Sequence, residues 1–141
     1  SSSSSQNWGG FVPTSTHISF GNADDVGSNS SYQYLVALFA SVDGISKVGY
    51  YTGNGTAGHA ITVGFQPRFL IIKSTTQALG WHVFDTARGW GSGNDEKLEL
   101  DSSAAQGSYD YGAPTSTGFT IAITGNSLNG NGEKYIYYAH A

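Results

Sequence analysis

The chain has 141 residues, a formal net charge of −4 and only 11% charged residues, which suits one domain with a real hydrophobic core. Its six basic residues stand singly along the chain, which argues against a phosphate-binding surface and so against nucleic acid as a partner. Cysteine is absent, so no disulfide and no thiolate metal site can form.

Read from the start, residues 1–5 are all serine, and 1–10 read as a flexible Ser-rich leader, too polar for a signal-peptide core. The absence of methionine leads us to expect a processed product or a piece of a longer chain. Gly, Ser, Thr, Asn and Tyr then dominate, a vocabulary of strands and tight turns. Strands are predicted at 11–20, 32–40, 46–52, 59–63, 68–73, 81–85, 97–100, 118–123 and 134–140. Asn54-Gly55 and the Asn- and Gly-rich stretch 126–132 supply the turns between them. Residues 34–39 and 69–72 are nearly continuous apolar runs, which predicts central strands buried on both faces. The expected fold is all-β, an antiparallel β-sandwich of jelly-roll-like character. No apolar run approaches the roughly 20 residues of a membrane helix, so no membrane insertion is expected.

An internal half-repeat organises the chain. Pro13-Thr14-Ser15-Thr16 recurs as Pro114-Thr115-Ser116-Thr117, at an offset of 101. Without a gap, the two copies end on Tyr34-Leu35-Val36-Ala37-Leu38-Phe39-Ala40 and Tyr135-Ile136-Tyr137-Tyr138-Ala139-His140-Ala141. We therefore expect 11–40 to be a partial β module, the terminal strands of a repeat, and 41–141 to be a complete one. A partial module has open strand edges, so Phe11, Ile18, Phe20, Tyr34, Val36 and Leu38 are the expected assembly residues.

The motifs Gly44-Ile45-Ser46-Lys47-Val48-Gly49, Tyr51-Thr52-Gly53-Asn54-Gly55, Gly64-Phe65-Gln66-Pro67-Arg68-Phe69-Leu70-Ile71-Ile72-Lys73 and Trp81-His82-Val83-Phe84-Asp85-Thr86-Ala87-Arg88 fall in fixed order before Tyr135-Ile136-Tyr137. Over residues 32–141 this series resembles a repeat of virion proteins from marine and environmental tailed phages, often tail-fibre or tail-associated. The resemblance implies a β module of a virion appendage or shell, virion or extracellular in location, and supplies no enzymatic activity. The chain departs from that pattern after Lys73, where Ser74 stands in place of a second basic residue.

The densest constellation is 81–90. On a strand, Trp81, Val83 and Asp85 share one face, and His82 and Phe84 the other. Trp81 is assigned to the core, and Asp85 to a pair with Arg88 that locks a turn. Trp90, between Gly89 and Gly91, is the candidate sugar-stacking platform, with Arg88 and Asp95 as hydrogen-bonding neighbours. In 95–101, Lys97, Glu99 and Asp101 are expected on a solvated face, with Leu98 and Leu100 toward the core. That spacing fits no Ca²⁺ loop, and the four histidines show no metal-like pairing, so no metal or cofactor is expected. His140, at the place of Phe39 in the other copy, reads as a packing position. No Gly-x-Ser-x-Gly elbow is present. Asn29 and Asn54 begin glycosylation sequons.

The expectation is a non-enzymatic virion structural module contributing to host-surface or glycan attachment, with other copies of itself or other virion proteins as partners. The alternative is a self-assembling capsid decoration or extracellular filament subunit in which residues 1–40 complete a neighbour's sheet.

Overall fold

The computed structural model describes residues 14–18, 33 and 35–141. The chain divides into two compact units, Ser1–Leu38 and Phe39–Ala141. The second carries nine strands: β1 (Ser46–Thr52), β2 (His59–Thr62), β3 (Phe69–Ser74), β4 (His82–Asp85), β5 (Asp95–Glu99), β6 (Gly107–Tyr109), β7 (Pro114–Thr115), β8 (Gly118–Ile121) and β9 (Lys134–His140). They form two antiparallel sheets, ordered β1-β9-β3-β4-β5-β6 and β2-β8-β7. The fold is an all-β sandwich, as the composition and turn spacing predict.

Alternation decides which side chains meet between the sheets. From the large sheet, Tyr51, Leu70, Ile72, Phe84, Tyr135 and Tyr137 face inward; from the small one come Ile61, Phe119 and Ile121. The rings of Tyr51 and Tyr135 stack with centroids 4.9 Å apart, and Phe119 meets Tyr137 edge-on at 5.6 Å. Two buried hydroxyls are hydrogen-bonded: Tyr51 donates to Leu128 O (2.6 Å) and Tyr135 to Asn126 O (2.7 Å). Such pairing is what allows phenols inside a core. Burial pushes the Tyr51 phenol far above its ordinary pKa, so it stays neutral and a donor.

One buried amide fastens the loops at the end of the sandwich. Asn129, fully buried, accepts from Asn54 N and donates to Thr56 O (2.8 Å) and Ile123 O (3.1 Å). Its oxygen also lies 3.0 Å from His59 Nδ1.

The strands predicted at 46–52 and 134–140 match β1 and β9 end to end, and β2, β3, β4, β5 and β8 lie within one or two residues of prediction. β6 and β7, of three and two residues, carry too short a pattern to be read. Burial of β3 on both faces also holds, with Leu70, Ile71 and Ile72 at most 8% exposed.

The companion expectation for 34–39 is corrected. Residues 35–40 form no strand, and Leu35, Val36, Leu38 and Phe39 are exposed. The second copy becomes a strand because β1 and β3 flank β9 on both sides; among the described residues no strand flanks the first copy. The strand predicted at 11–20 lies largely outside the described residues, and 14–18 hold no strand. What the copies do share is a turn. Thr14 N donates to His17 O at 2.9 Å, and their equivalents Thr115 and Gly118 are paired across the β7–β8 hairpin.

Candidate functional site

The surface with most to offer a partner is the outer face and free edge of the large sheet where β1 meets β9. The register sets Val48 opposite Tyr138 and Tyr50 opposite Ile136. These side chains point away from the core, so Val48 (43%), Tyr50 (79%) and Ile136 (42%) are exposed. Just before β1, Val42 and Ser46 make a closed antiparallel pair, each backbone N–H donating to the other's carbonyl at 2.9 Å. That turn carries exposed Val42 and Ile45, and it brings Phe39 over Tyr138 with ring centroids 4.4 Å apart. Tyr138 also contacts Phe69 (6.5 Å) and stands 3.1 Å from His140 Nδ1 through its hydroxyl. Apolar side chains thus run along one corner of the sheet, as they do at sites of protein association.

Among the described residues β1 is an edge strand, bonded to β9 on one side only. The bonds Ala141 N to Ile45 O and Gly53 N to Glu133 O fix the phase of the ladder. Odd-numbered residues of β1 therefore bond β9, and even-numbered ones turn their N–H and C=O outward. At Ser46 those groups are taken by Val42. At Val48 they are taken by the Ser41 hydroxyl, which accepts from Val48 N at 3.0 Å and reaches Val48 O at 3.5 Å. At Tyr50 and Thr52 those groups have no partner among the described residues.

A second constellation sits on the inward face of β4 and β5. His82 is 3% exposed, and neither ring nitrogen has a hydrogen-bond partner. Its Nδ1 lies 3.4 Å from Glu99 Oε1, which receives a 2.6 Å bond from Lys97 Nζ. Lys97 also lies over the Tyr111 ring, 5.4 Å from its centroid. Burial, reinforced by the Lys97 charge, lowers the His82 pKa to about 4, so the imidazole is neutral at pH 7. At 3.4 Å the His82–Glu99 approach is therefore a contact between a neutral ring and a carboxylate, not an ion pair. The hydrogen bond from Lys97 is the chief reason Glu99 sits below the usual carboxylate range.

The sequence-based candidates land differently. Trp90 is 4% exposed, packed 6.0 Å from Phe84, and cannot serve as an open stacking platform. Trp81, assigned to the core, is instead 40% exposed. The predicted alternation holds, but the His82–Phe84 face is the one packed inward, with Trp90 and Tyr111 against Phe84, which turns Trp81 outward. Asp95 is fully buried and its carboxylate is spent on three backbone donors: Gly91 N (2.9 Å), Tyr111 N (2.8 Å) and Gly112 N (3.1 Å). Burial raises its pKa and the three N–H groups oppose that rise. It closes the 89–95 loop and offers nothing to a ligand. Arg88 is exposed and bonds Gln106 Oε1 at 2.6 Å.

Asp85 pairs not with Arg88 but with Arg68, at 3.5 Å, while its carboxylate caps the short 3-10 turn Thr86–Arg88 by accepting from Ala87 N. In β5 the expected faces are exchanged: His82 lies opposite Glu99 and Val83 opposite Leu98, so Lys97 and Glu99 point inward, and Leu100 is 63% exposed. Asp101 is exposed, as expected, and accepts from Trp81 N at 2.9 Å. Of the assembly residues, Val36 and Leu38 are exposed and Ile18 is half-buried; Phe11, Phe20 and Tyr34 lie outside the described residues. The β1 edge itself escaped the sequence reading, although its Val48 and Tyr50 alternate in the way an open outer face requires. Among the described residues no cluster of three or more His, Cys, Asp or Glu could hold a metal ion, and no helix is long and apolar enough to cross a membrane.

The chain belongs to the family described as a domain of unknown function, DUF7483, whose model matches residues 1–141. No curated protein and no solved structure matches it.

Proposed function

We propose that this chain is a non-enzymatic assembly module, a β-sandwich that joins other copies of itself or other virion proteins in a phage appendage or shell. The observation that carries the reading is the apolar corner of the large sheet, where Val48, Tyr50, Ile136 and Phe39 stand exposed beside an open strand edge. Solvent-facing polar residues would serve a solitary sandwich better there. The virion setting rests on the sequence resemblance. The polar groups of the sandwich support a structural role: Asp95, Asn129 and Asp85 are engaged in holding loops. The test is the mass of the protein in solution by light scattering across a concentration series. Assembly predicts a multiple of the chain mass, reduced by Tyr50→Asp with Ile136→Asp. A monomer at all concentrations, and in the presence of its neighbouring virion proteins, would refute it.

Attachment to a host glycan is a second reading, favoured by one observation. Trp81 presents a half-exposed indole beside exposed Leu100 and Asp101, an aromatic surface of the kind that stacks on sugar rings. Loss of glycan-array binding in Trp81→Ala, with Trp81→Phe retaining it, would support this role.

A further inference from the structure

We infer that residues 35–40 are a donor strand, and that their acceptor is the outer edge of β1 in a second copy of this chain. This deepens the assembly reading and rests on it.

Three observations converge. First, 34–40 is the counterpart of 135–141 in the half-repeat, with the same tyrosine at its start and alanine at its end, and most of 135–141 is β9, the strand that already pairs with β1 along its other edge. A segment of the same pattern is therefore suited to lie beside β1, so that β1 would run between two versions of one strand. Second, the pairing has a start. The Val42–Ser46 pair, if continued two residues at a time, sets Ala40 opposite Val48, Leu38 opposite Tyr50 and Val36 opposite Thr52. Third, within one copy that continuation is diverted at its first step. The Ser41 hydroxyl occupies the outward N–H and C=O of Val48, the groups Ala40 would need. Phe39 stacks over Tyr138 on the sheet's outer face instead of running beside β1.

Each copy thus holds a strand-competent segment without a strand partner among the described residues, with Leu35 99%, Val36 46% and Leu38 71% exposed. It also holds an open edge at Tyr50 and Thr52. Giving the segment to a neighbour satisfies both through Leu38 beside Tyr50 and Val36 beside Thr52, while Val48 of the acceptor stays with its own Ser41. Once there, the side chains of Leu38 and Val36 lie on the same face as Tyr50, extending the apolar corner across the junction. Exchange between two copies gives a closed dimer, and donation in one direction gives a filament.

The chain has no cysteine, so engineered pairs are unambiguous. Leu38→Cys and Tyr50→Cys are made in separate copies; both positions are highly exposed, so both variants should keep the parent melting temperature. The two are mixed and oxidised mildly. The expected result is a covalent species of twice the chain mass that neither variant gives alone. Hydrogen exchange on the unmodified protein should show the Tyr50 and Thr52 amides slowing as concentration rises. If the protein is oligomeric but the mixture does not cross-link and exchange is concentration-independent, the strand donation is wrong while the assembly reading survives. Cross-linking only within one chain carrying both cysteines would also overturn it, by showing that the strand closes on its own β1. A protein that stays monomeric removes both.

Discussion

Gly49 of β1 lies directly opposite Tyr137 of β9, and a Cβ at position 49 would stand 2.5 Å from the Tyr137 hydroxyl oxygen. The phenol fills the space that any side chain at 49 would need, in the middle of the most extensive strand pairing of the sheet. Gly49→Ala should therefore destabilise by about 1–3 kcal/mol through overpacking, lowering the melting temperature by ~4 °C or more. Tyr137→Leu in the same chain should return part of that loss, since the collision is with the tip of the ring. A double-mutant cycle by urea unfolding checks the coupling. Additive losses would show that the two positions act independently.

The three N–H groups gathered on buried Asp95 make it a demanding polar position. Asp95→Asn keeps the shape but turns an amide donor toward some of those N–H groups. It should cost roughly 2–4 kcal/mol in chemical denaturation. Asp95→Ala, which leaves all three donors unpartnered, should cost at least as much. A loss below ~1 kcal/mol for both would mean that the 89–95 loop is held by Trp90 and Phe84 alone.

His82 makes stability depend on pH in a definite direction. Its folded pKa, about 4, lies below the ordinary value of 6.5, so below pH 6.5 the unfolded chain takes up the proton more readily than the folded one. Stability attributable to this ring is complete above pH 6.5, falls as pH drops toward 4, and is flat below that. The fall should amount to ~2–3 kcal/mol, with Lys97 opposing protonation and Glu99 and Asp101 favouring it. The difference between the parent and His82→Gln, followed from pH 7.5 to 4, isolates the ring from the other titrating groups. A constant difference across that window would show that the imidazole titrates alike in both states.

Trp81 and Trp90 should behave as opposites. Trp90→Ala removes a buried indole from the Phe84 cluster and should cost about 3–5 kcal/mol. Trp81→Ala should stay within ~1 kcal/mol of the parent. Iodide should lose quenchable fluorescence when Trp81 becomes Phe, and little when Trp90 does. The reverse pattern would put Trp90 at the surface after all.

Strand positions in 46–140 were largely legible because each carries its own period and its own turn chemistry. The orientation of individual strands was less so. In 95–101 the charged and apolar residues alternate cleanly, and the simplest inference sends Leu98 and Leu100 inward. Cross-strand register overrides it: Glu99 lies opposite His82, whose neighbour Phe84 is committed to the core. The exchange of Trp81 and Trp90 has a related origin, since glycines flanking an indole suggest a mobile loop, whereas Asp95 folds this loop inward with three hydrogen bonds. The repeat at 34–40 was legible as sequence, but whether such a segment is a strand depends on what flanks it. An edge supplied from elsewhere leaves no mark in the residues themselves.

β9 is the last strand of the sandwich in the chain and sits between β1 and β3, the first and third. Until residues 134–140 leave the ribosome, β1 has no partner in the large sheet, and the segment corresponding to half of that sheet's ladder is missing. Synthesis must therefore hold most of the sandwich in an unfinished state, with Tyr51, Leu70 and Ile72 uncovered, and closure depends on contacts 84 positions apart, as between Tyr51 and Tyr135. A chain built this way should fold slowly, and only once β9 has emerged. During that delay a nascent neighbour offering residues with the same pattern as β9 would be a direct competitor for its slot.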